Sequence, residues 1–357
     1  MNIIFPNIPI PAIHDIAGCL ESIASNEEYR KGKEGVLHET SNFNVLIWNA
    51  NTTSMIDMFD EIKPDIIFLS QSQLDDSFNI VCNEFKFKYI LSIDEYWQQT
   101  FTKDGAAEYL NNLPQKPSAI ISHTHVNSSM DVSDIYNNKA IELQSMAKVS
   151  QIHNAKHNKH MESDILIDTT NVDFDNDNNT KNNILLYLAN TYKTKIIGNN
   201  KVPLLQYLGK TTMFERADFI RSAKILINLN TDPSSCWDAS YLKTPSITLY
   251  PVDNDDTILQ FNSLKELSST ISTILNKPPV RKKYIEECHN KVFNSRTYFH
   301  IASDIFNKID EHYIGQSLLE FLELARYNKW LGVSFMSTVA LNPHINTMNG
   351  RATHMSY

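Results

Sequence analysis

The best-placed chemical groups in this sequence lie between Phe214 and Pro251, in FERADFIRSAKILINLNTDPSSCWDASYLKTPSITLYP. The run Asn230, Thr231, Asp232, Pro233, Ser234, Ser235 offers amide, carboxylate and hydroxyl groups; Asp238 follows it, and Arg216, Arg221 and Lys224 precede it. Apolar spacing predicts a short helix over Glu215–Ser222 and a second over Cys236–Leu242, with short apolar strands at Ile225–Leu229 and Ser246–Tyr250. Strands alternating with helices of this length pair in parallel through right-handed crossovers, which makes an α/β sheet. Ligands of such sheets sit beyond the carboxyl ends of the strands, where the Asn230–Ser235 loop belongs. Unpaired amides and the dipole at a helix start favour an anion such as phosphate, and Ser234 and Ser235 could add hydroxyl donors or cap the helix. Arg216 and Arg221 fall on different helix faces, so at most one reaches that anion.

Other groups fall at the edges of predicted elements. Strand Asn2–Phe5, a proline-punctuated loop and helix Ala12–Ala24 make a first βα unit that carries His14 and Asp15 at its helix start, on the ligand side. Asn44–Trp48, Thr52–Ile62 and Asp65–Ser70 make a second unit, with Pro64 ending the helix. Strand Lys88–Ile93 delivers Asp94, Glu95, Tyr96 and Trp97 to the ligand edge, where carboxylates beside aromatics could hold a sugar by hydrogen bonds and ring stacking. Asp94 is therefore a candidate catalytic group. His123 and His125 at a strand end share a face, but no third ligand accompanies them. Asn137–His160 is expected to be mostly helical, with His153, His157 and His160 on one face of a linker rather than in a metal site. The acidic run Asp173–Asn179 lacks the central Gly and terminal Glu of a calcium loop.

The totals narrow the function classes. A chain of 357 residues usually forms two domains, and a net charge of −9 argues against a broad nucleic-acid surface. Cys19, Cys82, Cys236 and Cys288 are widely spaced, which suits a reduced cytoplasmic setting. No apolar run approaches the roughly eighteen residues of a membrane span. There are only 9 glycines.

The order "ERADFIRSAKILINLN … CWDASYLKTPSITLYP … FNSLKELSSTISTIL" resembles the carboxyl-terminal half of GT-B glycosyltransferases, especially the spore-maturation-like group, over roughly residues 160–309. Asp238 matches an acidic position that in the family hydrogen-bonds the donor ribose, while amides at the start of its helix face the diphosphate. Lys243-Thr244-Pro245 stands where the family has a small residue, Gly and Pro. "TKIIGNN" is similar to the strand whose terminal glycine, here Gly198, lets backbone approach the donor, and "DEIKPDIIFLSQSQ" to a strand of the amino-terminal domain. His14 or Asp15 corresponds to the general base of many inverting members, a task suited to imidazole, although the family's glycine-rich loop is missing.

The resemblance implies two Rossmann-like domains facing each other across a cleft, with C-terminal helices. Domain 1–150 would serve the acceptor side and 151–310 the donor; the resemblance gives no account of the tail 311–357, whose apolar spacing from Leu318 to Ala325 predicts an amphipathic helix that could support homo-oligomer contacts. The resemblance implies transfer of a sugar from a nucleotide-sugar donor to an acceptor hydroxyl, without an obligatory metal or other cofactor. Catalytic candidates are then His14, Asp15 and Asp94; donor-binding candidates are Gly198, Asn230, Ser234, Ser235, Asp238 and Arg216. The acceptor could be a glycan, a small molecule, a protein or, if the chain is viral, a modified DNA base, which the acidic charge disfavours. The alternatives are a noncatalytic GT-B-like module and a nucleotide-sugar 2-epimerase.

Overall fold

Short apolar runs flanked by turn residues become the strands of two separate parallel sheets. The computed structural model describes residues 1–7, 11–24, 43–93, 103–123, 140–143, 145–170, 172, 178–199, 204, 206–252, 257–327, 338–342 and 345–348. Contacts divide the chain into one unit of residues 1–144 with the segment from Tyr298, and a second unit, Ser145–Thr297.

In the first unit the order is β1 (Asn2–Pro6), α1 (Pro11–Ala24), β2 (Asn44–Trp48), α2 (Met55–Ile62), β3 (Ile66–Ser70), α3 (Asp76–Glu84), β4 (Lys88–Ile93), α4 (Lys103–Asn112), β5 (Ala119–His123) and β6 (Ala140–Leu143). The strands align in parallel as β2-β1-β3-β4-β5-β6. Every residue of β3 is buried, as expected of a strand covered on both faces. Helix starts are set by side chains: Ser54 Oγ accepts the Asp57 amide at 3.1 Å, and Asp75 Oδ1 accepts those of Ser77 and Phe78 at 2.9 and 3.2 Å. Phe59, Phe78, Phe87 and Tyr89 pack edge to face or tilted in the core under β3 and β4.

The second unit begins with the single turn α5 (Val149–Ile152) and continues β7 (Ser163–Asp168), α6 (Asn178–Thr191), β8 (Thr194–Ile197), β9 (Tyr207–Gly209), α7 (Met213–Ser222), β10 (Ala223–Asn228), α8 (Ser234–Tyr241), β11 (Ser246–Thr248), β12 (Leu259–Gln260), α9 (Leu264–Asn276) and α10 (Pro278–Ser295). Its parallel order is β12-β11-β10-β7-β8-β9. Counted from β7, that is the 3-2-1-4-5-6 order of dinucleotide-binding sheets, and the chain reverses direction across the sheet between β7 and β10. At that point Asp168 and Asn228, the last residues of the two strands, lie opposite each other in register.

Glycine is scarce, so other residues take left-handed turns: Lys63, Lys243 and Asp310 have φ of 51°, 61° and 62°. Lys243 closes α8, with its amide bonded to Ser240 O at 3.2 Å and the Thr244 amide to Ala239 O at 2.8 Å, the Schellman pattern.

The described part of the segment expected to be helical from Asn137 to His160 is mostly not. Ala140–Leu143 alternates buried and less buried residues and pairs with β5 as a strand, and the described residues are α-helical only at Val149–Ile152, with a 3-10 turn at Lys159–Met161. Pairing to an open sheet edge outweighed local helical spacing. After the second unit, α11 (Tyr298–Lys308) and α12 (His312–Tyr327) return to the first, where Lys88 Nζ donates to Glu311 at 2.7 Å and Lys308 Nζ to Ala140 O at 2.7 Å. Hairpin β13 (Thr338–Asn342) and β14 (Ile345–Met348) adds antiparallel to β2.

Phe59 is fully buried, with ring centroids 4.7 Å from Phe87 and 5.3 Å from Phe85. Phe59→Ala should cost about 3–5 kcal/mol, read as a lower urea midpoint at unchanged slope.

Candidate functional site

Thr212 starts α7 with a capping box, its Oγ1 accepting the Glu215 amide at 3.3 Å and its own amide bonding the Glu215 carboxylate at 2.9 Å. That fixes Arg216 in the first turn, within reach of the β7 strand end. Arg216 Nε donates to Asp168 Oδ2 at 2.5 Å and Nη1 to Asp238 Oδ2 at 2.8 Å. The second oxygen of each acid takes a backbone amide, Thr170 N–H on Asp168 and Lys148 N–H on Asp238, both at 2.9 Å. The carboxylates are 2% and 0% exposed and the arginine side chain 16%. Burial by itself would lower the Arg216 pKa, but the charges of Asp168 and Asp238 outweigh it, and the guanidinium is held more firmly protonated than usual. Its Nη2 group makes no hydrogen bond to the described residues.

The neighbouring loop is wired to itself. Asn228 Nδ2 donates to the carbonyls of Asn230 and Asp232 at 3.2 and 3.1 Å, and its Oδ1 accepts the Asn230 amide at 3.0 Å. Asp232 accepts the Ser234 amide at 2.9 Å, the Ser234 hydroxyl at 2.8 Å and the Ser145 hydroxyl at 2.5 Å. A carboxylate from the chain itself thus occupies the start of α8, where the sequence offered an anion site. Ser235 is buried, and Asn230 is half-buried. Gly198 has φ +132°, and a Cβ there would lie 2.5 Å from Thr169 Oγ1 and from Thr170 N. Packing of the chain on its own backbone therefore demands this glycine. Arg221 donates to Leu242 O, and Lys224 pairs with Asp164 at 2.7 Å, so Arg216 alone of these three joins the strand-end carboxylates.

In the first unit His14 is half-buried on α1 and Asp15 is 1% exposed. Asp94, with Glu95 to Trp97, lies outside the described residues, as do His125 and most of the Asp173–Asn179 run. The three histidines expected on one helical face separate: His153 Nδ1 lies 2.6 Å from Tyr241 Oη, while His157 pairs with Glu162 at 3.3 Å. No cluster of three or more metal-binding side chains occurs among the described residues. Sequence reading missed Asp168, Ser145, Lys148 and the His153–Tyr241 pair. Only Asp168 carried a signal, as the polar last residue of the DILID strand.

Arg216→Ala would leave two buried carboxylates without their cation, and the loss should be about 3–5 kcal/mol of folding stability in urea titration. Burial lowers the His153 pKa from 6.5 to about 4. The unfolded chain therefore takes up this proton first: the contribution of neutral His153 is complete above pH 6.5 and lost as pH falls toward 4, by at most about 3 kcal/mol. His153→Gln should flatten stability against pH across that window.

No protein-family model and no curated protein matches this chain. Solved structures do. Anabaena HepE in complex with UDP superposes at TM-score 0.51 and 12% identity over 91% of this chain and 100% of its own. The same protein with UDP and glucose gives 0.50 and 12% over 90% and 99%. A UDP-N-acetylglucosamine 2-epimerase gives 0.44 and 9% over 92% and 96%. At such identities the likeness is one of fold: two α/β units, each built on six parallel strands, and C-terminal helices, a GT-B-like chain.

Proposed function

We propose that the chain is a glycosyltransferase that takes a nucleotide-sugar donor on its second unit and passes the sugar to an acceptor hydroxyl. The observation that carries this reading is Arg216. It stands at the reversal point of a dinucleotide-type sheet, oriented by two buried carboxylates, with Nη2 uncommitted among the described residues and part of the side chain exposed. A guanidinium held this way is suited to a diphosphate, because its remaining N–H groups are already aimed and lose little freedom on binding. The UDP held by HepE, which shares the fold, supports a uridine nucleotide as the first donor to try. In the transfer the acceptor oxygen bonds the sugar carbon as the bond to the diphosphate breaks. The hydroxyl proton passes to a base, for which His14 is the candidate, and Arg216 offsets the charge of the leaving diphosphate. Asn230 and Ser234 would contact the donor from the loop. Asp238, wholly buried, would act through Arg216 rather than on the ribose.

A second reading, a GT-B-like module without transfer activity, is favoured by Asp232. Its carboxylate fills the start of α8 and would face an incoming diphosphate with like charge.

Thermal unfolding against UDP, UDP-, GDP-, CDP- and TDP-sugars separates the two. One nucleotide at about 100 times its Kd should add about 2.7 kcal/mol and raise the Tm by several degrees. Arg216→Lys should abolish that shift while the variant alone still unfolds cooperatively. Absence of any shift would sink the transferase reading and leave the module.

A further inference from the structure

The second unit holds another cleft, at the opposite edge of its sheet. It measures about 360 Å³, and its lining includes Lys243, Arg281, Lys282, Glu286, His289 and Asn290. Lys243 stands three residues before β11, and Arg281 Nη2 reaches Lys224 O at 3.5 Å near the start of β10. The cleft is therefore at the amino ends of these strands, while Arg216 works at the carboxyl ends.

Two cations here have unmet capacity. Arg281 Nε is buried and has no hydrogen-bond partner among the described residues, a state that costs free energy until an acceptor arrives. The Lys243 ammonium makes no ion pair or hydrogen bond with the described residues, and the left-handed backbone at Lys243 fixes where its side chain leaves the α8 terminus. A lysine after a helix end interacts well with the dipole, but that explains neither the cleft nor the unmet Arg281 donor. The carboxylate in the lining, Glu286, lies 3.9 Å from Lys282, so that pair is self-compensated and the positive charge of Lys243 and Arg281 remains. Burial lowers the Arg281 pKa, consistent with a guanidinium short of counter-charge.

We propose that this cleft binds a phosphorylated small molecule, with the Lys243 ammonium and the Arg281 guanidinium as its anion contacts. The site is independent of the donor reading, since it shares no residue with the Arg216 edge. Phosphate oxygens would supply the acceptor that Arg281 Nε lacks and pair with Lys243, and the cleft is large enough for more than the phosphate itself.

The test is calorimetric titration of the full chain with inorganic pyrophosphate, and separately with UDP, for the unmodified protein and for Lys243→Gln, Arg281→Gln and Arg216→Lys. Pyrophosphate should bind, and a site whose Kd weakens about ten-fold or more in the Lys243 and Arg281 variants should persist in Arg216→Lys, whatever binding at the Arg216 edge that variant removes. Lys243 is exposed, so its variant carries the test if Arg281→Gln folds poorly. The proposal is overturned if pyrophosphate does not bind, binds all four proteins alike, or is lost only with Arg216→Lys. The UDP arm keeps the two sites apart: UDP binding lost only in Arg216→Lys belongs to the donor edge, and UDP that fails to bind the unmodified protein removes the donor reading while pyrophosphate still decides this cleft.

Discussion

One arginine between two buried aspartates organises the second unit. Taking three charges out of water is expensive, and the attraction among them repays it only where hydrogen bonds satisfy the remaining lone pairs. Here each acid has its second oxygen on a backbone amide, so Arg216 ties the end of β7, the first turn of α7 and the middle of α8 to the chain entering at Lys148. Such a cluster adds little net stability over an apolar core of the same shape. It does specify which elements meet, because every misassembly leaves a buried charge alone.

That arrangement sets the electrostatics at the carboxyl edge. Asp168 and Asp238 share Arg216, and the Ser234 amide that a helix start could offer a phosphate is spent on Asp232. In the proposed reading, affinity for a diphosphate there would depend on the side of Arg216 that makes no hydrogen bond to the described residues. At the amino edge the balance reverses, with the Lys243 ammonium and Arg281 Nε lacking acceptors among the described residues. The chain is acidic as a whole, so these local imbalances, and not the net charge, decide where an anion goes.

The shortage of glycine has a structural counterpart. Helix ends that glycine closes without strain are closed by Lys63, Lys243 and Asp310, at a cost of roughly 1 kcal/mol each. Glycine is kept at Gly198, where a methyl group would collide with Thr169 and Thr170.

The α/β class, the strands around Asp65–Ser70, Asp164–Asp168 and Ile225–Leu229, and the helices between them were legible from sequence. Apolar runs, helical spacing and Pro64 are local signals, and burial on both faces of a parallel sheet enforces them. The position of Asp238 at the strand-end edge was legible for the same reason. Its surroundings were not: its partners Arg216 and Lys148 lie 22 and 90 residues away in the chain, and no local pattern records such pairings. Residues 140–143 were misread because a four-residue strand is decided by the edge it finds in β5, not by its own propensity. Sequence alone determined which residues could be polar strand ends. Only tertiary packing decided which became a buried ion cluster, which capped a helix and which kept a free hydrogen-bonding edge, since desolvation and pairing depend on neighbours far away along the chain.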